Sequence, residues 1–195
     1  MPLGANKAAI MGVAGTAAAA DVVLLHDTDY SNAATASITS GIDSTYGEYI
    51  FKFYNINPAT DGTNFLFQVS TDGGSNYNMT ITSTGFYAAH NESGAVSLTH
   101  EHDLDLGEGT AFQPIVLSLG NGADESYAGE LHIFNPSSTT YAQHFLTTGN
   151  VYATSDYTQN VFVSGYVNTT TDIDAIQFKM ASGNFDGTIK MWGVK

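Results

Sequence analysis

The segment Glu48-Tyr49-Ile50-Phe51-Lys52-Phe53-Tyr54 constrains this chain more than any other, because large apolar side chains return at every second position. In an extended strand that spacing puts Tyr49, Phe51 and Phe53 on one face and Glu48, Ile50, Lys52 and Tyr54 on the other. An aromatic face of this kind needs a second layer packed over it. Phe65 and Phe67 repeat the pattern, with Gln68 on the opposite side. Period-two runs bounded by turn residues predict strands over Val22–His26, Gly47–Ile56, Asn64–Ser70, Asn78–Thr82, Phe86–Ala89, Ile115–Leu119, Glu130–Phe134, Tyr141–Leu146, Val161–Val167, Ala175–Met180 and Thr188–Gly193. Helical spacing is nowhere sustained, and no repeat of propeller or solenoid period occurs. About ten short strands between Gly, Asn, Asp and Pro turns imply an all-β fold, an antiparallel β-sandwich, with the jelly roll as the expected form. The closing segment Ser182–Lys195 reads as a turn and one more alternating strand, with Ile189, Met191 and Gly193 on one face. That strand is expected to complete a sheet.

With 195 residues, 43% of them hydrophobic, the chain can form one domain that buries roughly 70% of the surface its unfolded form exposes. Residues 21–195 are read as that single sandwich domain, and residues 1–20 as an N-terminal arm. The arm carries only the weak, Gly-interrupted run Ala8-Ala9-Ile10-Met11-Gly12-Val13-Ala14, less apolar than a secretory signal requires. It is expected to dock on a neighbouring subunit. All five basic residues are lysines and the formal net charge is −14, which argues against nucleic-acid partners, since phosphate neutralisation needs clustered Lys or Arg. Adhesion to anionic membranes is disfavoured for the same reason. No stretch approaches ~18 consecutive apolar residues, so no membrane insertion is expected. Cysteine is absent, which excludes disulfides and thiolate metal sites.

Chemistry-bearing patterns are few. Ser70-Thr71-Asp72-Gly73-Gly74-Ser75-Asn76-Tyr77 is similar to the Asp-box of sialidase-type propellers, but one copy does not make a propeller. As a hairpin tip, Asp72 would cap turn amides, Gly73 and Gly74 would supply positive φ, and Tyr77 would pack across the hairpin. His100-Glu101-His102-Asp103-Leu104-Asp105 would, as a strand, project His100 and His102 from one face at metal-ligand spacing. Gly94, His100 and His102 resemble part of the first cupin motif. The likeness then fails, because Glu108 comes too late, Ile115 stands where a glycine belongs, and neither His132 nor His144 has the second-motif context. Solvent-facing edge polarity explains the cluster more cheaply, so no metal residue is assigned, while metal binding by His100, His102, Asp103 and Asp105 stays an open alternative. The pairs Asp27/Asp29, Asp103/Asp105 and Asp172/Asp174 lack the distal glutamate of an EF-hand and read as turn caps or edge charges. Glu48, Glu92, Glu101, Glu108, Glu125 and Glu130 nominate no acid/base pair by spacing. There is no nucleophile elbow, P-loop or dinucleotide fingerprint, so no catalytic or cofactor-binding residue is assigned and no enzyme is expected.

Gly41–Phe53, Asn55–Asp61, Ser70–Gly74, Gly129–Pro136, Gly187–Gly193 and the opening Met1–Lys7 together resemble a group of tailed-phage virion proteins. The resemblance implies a β-sandwich structural protein of the particle, of tail-fibre, head-fibre or capsid-decoration type. It also implies a homotrimer that contacts other virion proteins and a host-surface glycan, assembled in the host cytoplasm and located in the virion. It transfers no catalytic residue. Two other classes stay in play. A carbohydrate-binding module would present Tyr127, Tyr141, Tyr152, Tyr157 or Trp192 as a stacking platform, and a metal-dependent cupin-like enzyme would centre on His100 and His102.

Overall fold

The computed structural model describes residues 21–195, so the expected arm at 1–20 lies outside the described residues. Twelve strands follow in order: β1 Val22–Ala33, β2 Ala36–Ile38, β3 Glu48–Pro58, β4 Thr63–Ser70, β5 Ile81–Asn91, β6 Val96–His100, β7 Gln113–Leu119, β8 Tyr127–Phe134, β9 Gln143–Ala153, β10 Tyr157–Val167, β11 Ala175–Met180 and β12 Phe185–Val194. A 3-10 turn, His102–Leu104, interrupts the series after β6. The fold is all-β, and every strand pairing is antiparallel.

All twelve strands belong to one sheet, in which pairing sets apart two groups. One runs β1-β12-β3-β8-β9-β10-β5-β6, and the other β7-β4-β11-β2. A single bridge, Leu119 to Ala153, joins them along one edge. The expected closing strand is present as β12, inserted between β1 and β3 with Ile189 and Met191 fully buried.

The core forms where the two groups face each other. Tyr49, Phe51 and Phe53 point inward from β3, and Phe65, Phe67 and Phe178 meet them from β4 and β11. Phe65 is the hub: its ring lies 5.4 Å from Phe53, 5.9 Å from Phe178, 5.8 Å from Phe185 and 6.2 Å from Tyr127. Phe178 stacks on it and the others meet it tilted or edge-on, pairings whose attraction adds to the area they bury.

Several expected elements differ. Asn78–Thr80 is irregular, and the strands expected at Asn78–Thr82 and Phe86–Ala89 are one strand, β5. The strand expected from Tyr141 begins at Gln143 and runs on to Ala153. Gln68 is fully buried, because the chain around Met79 and Ala111 covers the second face of β4, and its amide donates to both carbonyls at 3.0 Å. The Ser70–Tyr77 turn is no hairpin tip, since β4 and β5 belong to different groups and do not pair. Its capping chemistry is as read: Asp72 Oδ1 accepts from Ser70 Oγ at 2.7 Å and from the Asn76 amide at 2.9 Å. Those bonds, led by the Asn76 and Ser70 side chains, hold the Asp72 carboxyl down at about 2. Gly73 and Gly74 adopt φ of 72° and 83°.

Tyr49 ties the loop before β3 to the core. Its hydroxyl donates to the Asp43 carbonyl and accepts from the Asp43 amide, both at 2.9 Å. Burial, reinforced by the Asp43 charge, pushes the phenol up to about 12. A phenol whose folded value is raised contributes stability that is complete below its unfolded value of about 10 and lost as pH rises through the folded one. Thermal melts between pH 9 and 12 are expected to show a declining midpoint that is shallower in Tyr49→Phe. Parallel declines in the two proteins would reject this role.

Candidate functional site

The outward face of the eight-strand group is the most unusual surface of the molecule. Alternation that sends Tyr49, Phe51 and Phe53 inward sends Ile50, Lys52 and Tyr54 outward, and the neighbouring strands stay in phase. Leu24, Trp192, Ile50, His132, Leu146 and Ser164 are successive partners across β1, β12, β3, β8, β9 and β10. Nine large hydrophobic side chains are exposed among the described residues. Eight of them lie on this face, namely Val22, Leu24, Tyr54, Phe86, Val96, Leu98, Phe134 and Leu146. Phe86 and Phe162 stack there at 5.1 Å and 15°. Exposed apolar side chains gathered on one face of a polar protein mark interaction sites.

The acids of this face have polar partners. Glu48 reaches His132 Nδ1 at 2.6 Å, Glu130 reaches His132 Nε2 at 3.3 Å and Lys52 at 3.6 Å, and Asp27 holds Lys190 at 2.9 Å. Asp29 accepts a 2.6 Å bond from Thr188. Asp27 and Asp29 thus serve an edge strand, as read from the sequence, since among the described residues β1 pairs only with β12.

A histidine cluster closes the far edge of the same sheet. His100 and His102 do not share a strand: His100 ends β6 and His102 opens the 3-10 turn. The turn still brings the rings to 4.8 Å and 77°. Asp105 Oδ2 lies 3.0 Å from His100 Nε2 and 3.7 Å from His102 Nδ1. Asp103 stands apart from this group; its amide donates to Glu101 Oε1 at 3.3 Å.

A third feature is an open cleft of about 630 Å³ beside β8 and β9, lined by Ser44, Tyr46, Asn135, Ser138, Tyr141 and His144, among others. Tyr141 is 75% exposed there. Of the other platform candidates, Tyr127 is excluded because it is fully buried beneath the core, where desolvation raises its phenol strongly. Tyr152, Tyr157 and Trp192 are half-buried, and Lys52 sits 6.0 Å above the Trp192 ring. Asp174 turns away from Asp172 to accept the Gly73 amide at 2.9 Å, a turn cap. Of the glutamates, Glu125 caps the Gly122 amide at 2.6 Å, and Glu48 and Glu130 belong to the His132 network.

Compared with known proteins, the chain matches no family model and no curated sequence.

Proposed function

We propose that this protein works by assembly: copies of the chain bury the outer face of the eight-strand sheet against one another, and the assembled unit is displayed as a structural component of a tailed-phage particle, as fibre or capsid decoration. The carrying observation is the concentration of eight of the nine exposed large hydrophobics on that one face. Its occupant is a second copy of this chain. A net charge of −14 makes copies repel in general, whereas on this face Lys52 and Lys190 offset two of the carboxylates, Glu130 and Asp27, and Glu48 and Asp29 are hydrogen-bonded to His132 and Thr188. Eight strands about 4.8 Å apart, each about ten residues long at ~3.4 Å per residue, make a face on the order of 1,000 Å². Each partner in a standard interface contributes about 800 Å².

The strand order supports a jelly-roll reading. β1-β12-β3-β8 opposite β2-β11-β4-β7 is the order of an eight-strand jelly roll, and β5-β6 and β9-β10 are inserted pairs that widen one sheet. Jelly rolls recur in viral capsid and lectin domains. Display on a phage particle, and the threefold ring, rest on the resemblance of the segments quoted above. A closed ring satisfies such a face without open-ended growth. No side chain carries a catalytic role in this reading.

Light scattering of the full chain at micromolar concentration tests it. A mass near three times 20.6 kDa is expected. A monomer overturns assembly through this face, and a dimer overturns the threefold ring alone. Mass spectrometry of purified particles from the source tests the place of display, and absence of the chain from them overturns it.

The cleft gives one specific reason for a second reading, glycan contact. Its named lining combines aromatic rings with hydroxyl, amide and imidazole groups, the mixture that suits neutral sugars. A glycan array with the parent and Tyr141→Ala tests it, and binding that ignores the substitution rejects the site.

A further inference from the structure

We propose that His100, His102 and Asp105 form a binding site for one divalent transition-metal ion of the zinc class, on the rim of the large sheet. The donor atoms of the three residues lie within 4.8 Å of one another. Ligands around a tetrahedral ion at ~2.0–2.2 Å stand roughly 3.4 Å apart. The two distances from Asp105 Oδ2, 3.0 and 3.7 Å, bracket that value. Closing the remaining gap between the imidazoles needs only a rotation of His102, whose side chain is 86% exposed and free to turn.

The backbone is prepared for this arrangement. Leu104, between the two aspartates, is fully buried. It fits over Gly85, where an added Cβ would come within 2.6 Å of the Leu104 Cβ, so the turn seats only because β5 has a glycine there. Gln113 donates to the Leu104 carbonyl at 2.7 Å, and the Glu101 amide donates to the Gly85 carbonyl at 3.1 Å. The Gly85 amide donates to Asp105 Oδ1 at 2.9 Å, which aims Oδ2 at both imidazoles. A carboxylate held this way by an outer hydrogen bond is the usual support of a metal ligand. Thr84 Oγ1 lies 3.3 Å from His100 Nε2, a weaker alternative partner that an ion would displace.

The chemistry of the set chooses the ion. Two imidazoles and one carboxylate suit Zn²⁺, Ni²⁺, Co²⁺ or Fe²⁺, whereas Ca²⁺ and Mg²⁺ prefer all-oxygen cages. Glu101, Asp103 and Glu108 in the same stretch add negative charge that favours any cation. Three ligands from one chain leave further coordination positions to solvent. The site lies on the outside of the sheet at its edge, since among the described residues β6 pairs only with β5, and it is distinct from an enclosed catalytic centre. It does not depend on the assembly reading.

The test uses the untagged full-length chain, titrated with Zn²⁺ and with Co²⁺, and read by calorimetry, by elemental analysis after dialysis and by the visible Co²⁺ spectrum. One ion per chain is expected. Asp105→Asn, which keeps an oxygen for the Gly85 amide, should weaken binding at least tenfold. His102→Ala, at an exposed side chain, should do so with an unchanged far-ultraviolet spectrum, and Asp103→Asn should bind as the parent does. Binding well below one ion per chain, or equal binding by the parent and His102→Ala, overturns the site. So does an Asp103→Asn loss that matches the Asp105→Asn loss.

Discussion

Phe65→Ala is expected to remove about 3–5 kcal/mol of folding stability. Phe65 projects from β4 into the middle of the sandwich-like core, and its ring meets four other aromatic rings, from β3, β8, β11 and β12. Truncation forfeits the transfer energy of the ring and leaves a void among neighbours on four different strands. These cannot all collapse inward without breaking register. Against a typical total of roughly 5–15 kcal/mol, that is a large share. The comparison is Tyr54→Ala. Tyr54 is 41% exposed on the opposite face of β3 in the single chain and rests near Lys190 at 5.9 Å, so its loss should cost the fold of each chain under about 1 kcal/mol, apart from any effect on assembly. Denaturant midpoints measured at one fixed protein concentration decide the matter. Equal costs for the two substitutions would mean that the two faces are wrongly assigned.

The same two-faced logic explains what was legible in the sequence. β3, β11 and β12 stood out because one face is large and apolar and the other is mixed, and period two then survives any reading of the ends. β2 has three residues, too few to carry a period. β5 was divided in two because Gly85 falls in its middle and looks like a break. That glycine is present for a long-range reason, the seating of Leu104, which no local pattern carries. Gln68 was expected outward because its neighbours Phe67 and Val69 are apolar. Only the distant carbonyls of Met79 and Ala111 make burial of its amide tolerable. β6 alternates as Val96-Ser97-Leu98-Thr99-His100, yet nothing buries either face of it, so its position on the sheet rim follows from pairing alone.

The candidate sites divide in the same way. The His100-x-His102 spacing is visible in the sequence, but the choice of Asp105 over Asp103 is made by a 3-10 turn that buries Leu104 and leaves Asp105 within reach of both imidazoles. Tyr127 reads as a surface tyrosine in the sequence because Tyr127-Ala128-Gly129 alternates too weakly to show which way the ring points. The outer apolar face did leave a signal. Ile50 and Tyr54 oppose Tyr49, Phe51 and Phe53, and Trp192 opposes Met191, so these strands carry large apolar side chains among the charged ones on the outer face, although only the inner face meets the core. A strand covered on one side only should alternate cleanly.

Leu146→Glu is expected to dissociate the assembled protein into 20.6 kDa chains while leaving each chain folded. Leu146 stands on β9 near the middle of the outer face, opposite His132 on one side and Ser164 on the other, and is 40% exposed. In a lone chain the new carboxylate remains in water, so the melting temperature of the monomer should change little. In the assembly it is taken out of water against apolar partners. The imidazole nearest to it, His132, is already held by Glu48 and Glu130. An unpaired buried charge costs several kcal/mol, which corresponds to a loss of at least about 100-fold in association. Leu146→Ala, which removes only contact area, should weaken association far less. Gln177→Glu supplies the same charge on β11, in the other strand group, and should leave the mass unchanged. Sedimentation velocity across a concentration series reads all three. If Leu146→Glu keeps the parent's mass while Gln177→Glu lowers it, the contact lies on the opposite side of the molecule, and the apolar face needs another explanation.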